Sequence, residues 1–149
     1  MDKKDPLSES LEDYLETILA LQAVKTVARS KDIADRLNIK RGSVTGMLKK
    51  LAENCLINYE PYGYVTLTPE GKKIAMEIEH RHIFLRDFFH RILQVDEQTS
   101  DRTACRMEHA MDKQTFKKFR NFVKKVDTCP HCDIEPPQPL SFSIDKPEK

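Results

Sequence analysis

The sequence predicts a mostly α-helical protein in which a winged helix-turn-helix is followed by a smaller all-helical unit. Three observations carry this. Apolar residues recur at spacings of three and four along most of the chain, as on one face of a helix. Between Ser30 and Asn54 two short helical patterns flank a tight turn, and the second is basic. A single stretch, Leu56 to Thr68, is instead rich in β-branched and aromatic residues about a Pro/Gly turn. The 149 residues are enough for one good core or two small ones sharing an interface, and too few for a large enzyme fold.

From Ser8 to Val24 the rows Leu11-Leu15-Ile18 and Tyr14-Ile18-Leu21 form the broad stripe of an amphipathic helix, whose other side carries Glu9, Glu12, Asp13 and Glu16. Ser30 reads as the N-cap of a short helix, Lys31 to Leu37, with Ile33, Ala34 and Leu37 inward. After the turn from Asn38 to Gly42, a third helix runs from about Ser43 to Asn54, burying Val44, Met47, Leu48 and Leu51, and Cys55 behind it is expected in the core. The hairpin follows. Thr68-Pro69 then opens a long helix, cap followed by proline at the first helical position, reaching about Leu93 with Ile74, Ile78, Leu85, Phe88, Phe89 and Ile92 on its stripe. A further helix is expected to be capped by Ser100 or Asp101 and to run to Met111, and Asp112 caps a last one with Phe116, Phe119 and Val123 on one face. Five of the 8 prolines lie beyond residue 129, so the tail from Thr128 is expected to be extended or disordered. The expected division is 1–70 for the winged helix-turn-helix, 71–127 for the helical unit and 128–149 for the tail.

Lys+Arg 25 against Asp+Glu 24 gives a net charge of +1, but the signs are segregated. Residues 7–17 carry only acids, 36–52 only the bases Arg36, Lys40, Arg41, Lys49 and Lys50, and 113–125 six bases without an acid. No apolar stretch approaches the roughly 18 residues of a membrane span, and no signal-peptide core is present, so a cytoplasmic protein is expected. The cysteines at 55, 105, 129 and 132 are too sparse for a disulfide framework and read as reduced thiols. With 4 Gly and no Trp, a glycine-rich nucleotide loop or an aromatic-rich platform is disfavoured.

A recognition helix needs short polar side chains toward base edges and flanking bases toward phosphates. Lys40, Arg41, Ser43, Thr45, Lys49 and Lys50 supply them, with Ser30 and Lys31 at the start of the preceding helix. Gly42 and Gly46 weaken the helix by up to about 1 kcal/mol each but let its backbone approach a surface. Tyr62 and Tyr64, flanking Gly63, resemble the tip of a wing on the DNA backbone or minor groove. The alternative is a protein-interaction domain with a solvated basic face. Since one such unit reads few base pairs, a homodimer is expected, with the apolar face of the long helix available for pairing.

Cys105-Arg106-Met107-Glu108-His109 places a thiol, a carboxylate and an imidazole on one helical face, a ligand set for a divalent transition metal. Alone it also fits a surface helix with a half-buried Cys. Two further sets accompany it, Asp13 with Glu16 at spacing three and His82 midway along the long helix. Cys129-Pro130-His131-Cys132 is half of a structural zinc site, able to supply up to three ligands, or else an exposed reduced pair. His80 and His90 read as surface or interface histidines.

Taken together, Leu11 to Ile18, the helix-turn-helix around Asp32-Ile33-Ala34 and Ser43-Val44-Thr45, the junction Leu67-Thr68-Pro69-Glu70-Gly71, Arg81-His82 and Cys105 to His109 resemble the diphtheria-toxin-repressor family of metal-dependent regulators, over about residues 7 to 127. The resemblance implies a homodimer, paired through the 71–127 helices, that binds double-stranded operator DNA when Fe²⁺ or Mn²⁺ lies between the first helix and the dimerisation unit, repressing metal-uptake genes. It implies metal ligation by Asp13, Glu16, His82, Cys105, Glu108 and His109. Asp13 and Glu16 match the family's manganese branch, Cys105 its iron branch, and His82, Glu108 and His109 both. Arg86 and Asp101 depart from the ancillary metal site of the iron branch, and the SH3-like domain of longer members is not matched. Thiolate favours Fe²⁺, Co²⁺ or Zn²⁺ and the carboxylates favour hard cations, so Fe²⁺ is the expected metal, with Mn²⁺ and Zn²⁺ as alternatives. The competing function within DNA binding is a winged-helix regulator answering to zinc, thiol oxidation or an organic ligand. An enzyme is not expected: His109 beside Glu108 has no accompanying nucleophile, glycine-rich loop or cleft-forming sheet.

Overall fold

The computed structural model describes residues 7–60 and 63–128. Helix α1 (Glu9–Lys25) buries Tyr14, Leu15, Thr17, Ile18 and Leu21, the stripe expected of it. Helices α2 (Ser30–Leu37) and α3 (Arg41–Glu53) follow, joined at Asn38, whose φ of 53° is the left-handed conformation that asparagine tolerates. Both begin earlier than expected. Ser30 is itself helical and Arg29 occupies the cap position without a side-chain bond. The cause is tertiary, because Ala28 pairs with Val65 in both directions (3.0 and 2.8 Å) and so holds the chain extended up to Arg29.

Strands β1 (Ile57–Tyr59) and β2 (Val65–Leu67) pair antiparallel, Ile57 opposite Leu67 and Tyr59 opposite Val65. Gln22 of α1 accepts from the Leu67 N–H at 2.9 Å, which fastens the wing to α1. Cys55 is not in the core. It takes φ 58° where the chain reverses after α3, which turns its thiol outward, and Leu56, 1% exposed, fills the core in its place. Leu15, Ile18, Ile33, Val44, Leu48, Leu51, Leu56 and Val65 form this first core, which Ala75 of the next helix joins.

Helix α4 (Pro69–Asp87) starts as expected, the Thr68 hydroxyl accepting from the Gly71 N–H at 3.1 Å. It ends in a π-helical turn, Phe88–Ile92. Helix α5 (Glu97–Ala110) is capped by Asp96, which accepts from Thr99 N–H at 2.9 Å, rather than by Ser100 or Asp101. Ser100 lies within the helix, buried, and donates to the Val95 carbonyl at 3.2 Å. Helix α6 (Lys113–Asp127) is capped by Asp112 as expected. A second core gathers Leu85, Ala104 and Phe116, with Phe84 edge-on to Phe116 and Phe119 at 5.5 and 5.9 Å. Helix α4 therefore serves both cores, and it packs against both α1 and α5. Among the described residues no helix is long and apolar enough to cross a membrane.

Candidate metal centre and nucleic-acid interface

The burial of Ala104 against α4 turns the next residues of that face, Glu108 and its neighbour His109, toward α1. Glu108 is 0% exposed and the His109 side chain 4%. From α1, Asp13 Oδ1 comes within 3.0 Å of His109 Nε2, and Glu108 Oε1 lies 3.3 Å from the same nitrogen. One ligand atom each from Cys105, Glu108 and His109, and again from Asp13, Glu16 and His109, lie within 4.8 Å of one another. Five of the six metal-site residues expected from the sequence thus converge on a single place, with His109 common to both groups.

His82 stands differently. Its Nδ1 donates to Glu108 Oε2 at 2.8 Å and its Nε2 to Asp101 Oδ1 at 2.9 Å, so it touches the centre only through Glu108. Glu12, which the sequence offered only as part of an acidic face, accepts from His109 Nδ1 at 2.7 Å. Arg81 donates to the backbone carbonyls of Glu108 (2.9 Å) and Met111 (3.3 Å). His80 is exposed, and His90 pairs with the Val95 carbonyl at 2.9 Å, so neither enters the centre.

The electrostatics are those of a site short of positive charge. Burial, and then the Glu108 charge, push the Glu16 carboxyl up to about 7. Hydrogen bonds to Glu108 and Asp101 outweigh burial at His82 and raise it to about 9. Burial and the surrounding carboxylates lift the Cys105 thiol to about 11. At His109 burial opposes the charged form, but the Glu12 hydrogen bond with the charges of Glu108 and Asp13 prevails, and its pKa is raised. Burial also raises Asp13. Of the three buried side-chain atoms without an aligned hydrogen-bond partner among the described residues, two, Glu108 Oε1 and His109 Nε2, lie in this centre. An orphaned carboxylate oxygen facing an orphaned imidazole nitrogen, beside two more carboxylates and a thiol, fits a divalent cation better than it fits protein alone.

The other expected surface lies at the far end of the N-terminal unit. A cleft of about 680 Å³ is lined by Arg29, Ser30, Lys31, Arg41, Thr45, Lys49, Tyr59, Gly63 and Tyr64. Lys40, Gly42, Ser43, Gly46 and Lys50 lie outside it but are exposed on or beside α3, with open space where a Cβ on either glycine would stand. Arg29 carries no signal in the sequence pattern. Its guanidinium sits 5.0 Å from the centre of the Tyr64 ring and donates to the Tyr64 hydroxyl at 3.2 Å. Tyr62, Cys129, His131 and Cys132 lie outside the described residues.

The chain matches known proteins over most of its length. Residues 6–65 match the family model described as iron dependent repressor, N-terminal DNA binding domain, and residues 68–137 the one described as iron dependent repressor, metal binding and dimerisation domain. An uncharacterised HTH-type transcriptional regulator of Methanocaldococcus jannaschii is 37% identical over 120 residues, 80% of this chain and 96% of its own length. The HTH-type transcriptional regulator MntR of Lysinibacillus sphaericus is 34% identical over 81% of this chain and 86% of its own. Among solved structures, IdeR of T. acidophilum superposes with a TM-score of 0.65 at 29% identity, covering 80% of this chain and 56% of that one. A manganese-dependent transcriptional repressor in complex with manganese gives a TM-score of 0.69 at 25% identity, covering 76% and 52%. The chain spans about half the length of these two structures.

Proposed function

The chain belongs to the diphtheria-toxin-repressor and manganese-transport-regulator family of metal-dependent transcriptional regulators, and on that premise we propose that a divalent cation between α1 and α5 licenses its winged helix-turn-helix to bind operator DNA. The observation that carries this is the pair of orphaned buried atoms, Glu108 Oε1 and His109 Nε2, facing Asp13, Glu16 and Cys105. These five residues would hold the metal, and His82 would join them on releasing Glu108 or Asp101. Bound there, the cation supplies the positive charge that the carboxylates lack. Asp13 and Glu16 belong to the helix that also holds the wing through Gln22, so their attachment to α5 sets how the DNA-reading unit sits on the helical unit.

We assign 1–70 to DNA binding, 71–127 to metal binding and homodimerisation, and 128–149 to a tail. The exposed apolar side chains Leu93 and Phe122, 53% and 64% accessible, support pairing of two copies through the helical unit. Fe²⁺ is the favoured metal on the mixed thiol, imidazole and carboxylate set, ahead of Mn²⁺ and Zn²⁺. Anaerobic competition of the three metals for the purified protein tests this, and a preference for Mn²⁺ over Fe²⁺ would reverse the assignment. Repression of metal-uptake genes is the role this would serve. A trigger by oxidation at Cys105 is disfavoured, since a thiol with a pKa of about 11 is scarcely ionised near neutrality.

Metal must displace the protons of Glu16 and Cys105, so affinity is expected to rise with pH between 6 and 8. Calorimetry in buffers of different ionisation heat measures the protons released, and Glu16→Gln should flatten the profile near pH 7. Without metal the opposite trend holds for stability. Both Glu16 and His82 have folded pKa values above their unfolded ones, so the stability they lend is complete below about 4.5 for Glu16 and about 6.5 for His82, and is lost as pH climbs from there to about 7 and about 9 respectively. The melting temperature of the metal-free protein should therefore fall over that range, with added metal reducing the fall.

Of the cleft residues, Arg29, Lys31, Arg41 and Lys49 are assigned to phosphates, Thr45, with the exposed Ser43 beside the cleft, to base edges, and Tyr64 to the wing contact. Lys49→Ala is expected to lower the slope of log K against log salt by about 1 and to weaken binding alike across DNA sequences. Fluorescence anisotropy over a salt series measures both.

A further inference from the structure

We infer that Glu12 is a positioning residue of the metal centre, holding the His109 imidazole by Nδ1 so that Nε2 faces the donors of α1 and α5. The inference rests on the metal-centre reading above. An imidazole has two ring nitrogens on different edges, and a hydrogen bond at one decides what the other presents. Glu12 Oε2 meets Nδ1 at 2.7 Å. Nε2 makes close ion-pair contacts, 3.0 Å from Asp13 Oδ1 and 3.3 Å from Glu108 Oε1, but no well-aligned hydrogen bond to either. Glu12 is adjacent to Asp13 in the chain, yet it belongs to neither donor group. It therefore stands behind the ring, on the side away from the other donors.

Glu12 is itself held in place. Its Oε1 lies 3.9 Å from Arg81 Nη2, and Nη1 of the same guanidinium donates to the Glu108 and Met111 carbonyls at the end of α5. Arg81, on α4, thus fastens both the helix end that carries His109 and the carboxylate that orients its ring. The side chains of Glu12, Arg81 and His109 are 17%, 11% and 4% exposed, so water competes little for these bonds. With the ring turned away from Nε2 presentation, His109 would serve neither donor group.

The test is metal binding by the full chain, measured by calorimetry with Mn²⁺ and by absorption with Co²⁺, whose bands report the thiolate and the ligand geometry. Glu12→Ala is expected to weaken Mn²⁺ binding about 10- to 100-fold, and Glu12→Gln, whose amide oxygen still accepts the N–H, to stay within about threefold of the unaltered protein. The Co²⁺ spectrum should be unchanged in Glu12→Gln and altered in Glu12→Ala. Circular dichroism melts place both variants below their unfolding transition, so a folding defect is separated from a binding one. Full affinity in Glu12→Ala overturns the inference. Equal losses in both variants overturn it too, because Glu12 would then act by its charge or as a ligand. Absence of Mn²⁺ and Co²⁺ binding by the unaltered chain would instead overturn the metal centre itself.

Discussion

Glu108→Gln is expected to cost at least about 100-fold in metal affinity, the upper end of what loss of a ligand's supporting partner costs, and to leave DNA binding indifferent to added cation. Glu108 occupies the middle of the polar network. One oxygen accepts from His82 Nδ1 at 2.8 Å, the other is buried without an aligned hydrogen bond, and the carboxylate's charge helps push Glu16 to about 7. Glutamine keeps the volume and an oxygen for His82 but removes the charge a cation requires. The repulsion on Glu16 falls at the same time while the ion pair with His82 weakens, so the effect of metal is read against the metal-free form of each protein. At a metal concentration 100 times Kd the unaltered protein should gain about 2.7 kcal/mol of stability and the variant almost none. Melting curves with and without Mn²⁺ measure this. An equal gain in both proteins would remove Glu108 from the centre.

Gly71→Ala is expected to cost about 3 kcal/mol or more, lowering the melting temperature by about 10 °C or preventing folding. The requirement is steric, since Gly71 has no positive φ. A Cβ there would lie 1.9 Å from the Leu56 carbonyl oxygen and 2.8 Å from its carbon, both backbone atoms. That carbonyl accepts from the Thr68 N–H at 3.0 Å, and Thr68 caps α4 through the Gly71 N–H, so neither side can yield without opening the joint between wing and α4. Gly46→Ala is the control. It has open space around it in the middle of α3, and alanine there should hold or raise stability, by up to about 1 kcal/mol. Thermal melts of the two variants side by side decide the matter, and a Gly71→Ala protein as stable as the unaltered one would contradict the close approach.

What the sequence disclosed about the site was what one helix contains. The spacings of Asp13 with Glu16, and of Cys105 with Glu108 and His109, place each set on one face whatever the tertiary fold. The contacts between helices were not legible. Glu12 looked like one more surface acid, and only the placement of α1 beside α5 puts it behind His109. His82 was equally visible as a ligand type, but its engagement with Glu108 and Asp101 depends on how α4 meets α5. The fold was read well where local signals were unrivalled, as at Thr68-Pro69 and Asp112. It was misread where signals competed. Asp96, Ser100 and Asp101 all have cap chemistry within one short stretch, and the interior position of Ser100 is settled by tertiary burial. Cys55 was placed inside by its residue type, while the left-handed turn after α3 puts it outside. Arg29 gave no sign in the pattern because its role in the cleft depends on Tyr64, far away in the chain.

The central claim, that cation binding between α1 and α5 controls DNA binding, meets its most direct test in one measurement. Duplexes selected by the purified chain from a random pool, with selections run in parallel with Fe²⁺ and with chelator, are bound anaerobically and the affinity of each is read by fluorescence anisotropy with and without metal. A population shift that creates a regulatory switch requires at least about tenfold tighter binding with metal than with chelator, and Glu108→Gln should bind at the chelator level in both conditions. Equal affinity with and without metal in the unaltered chain would contradict the account.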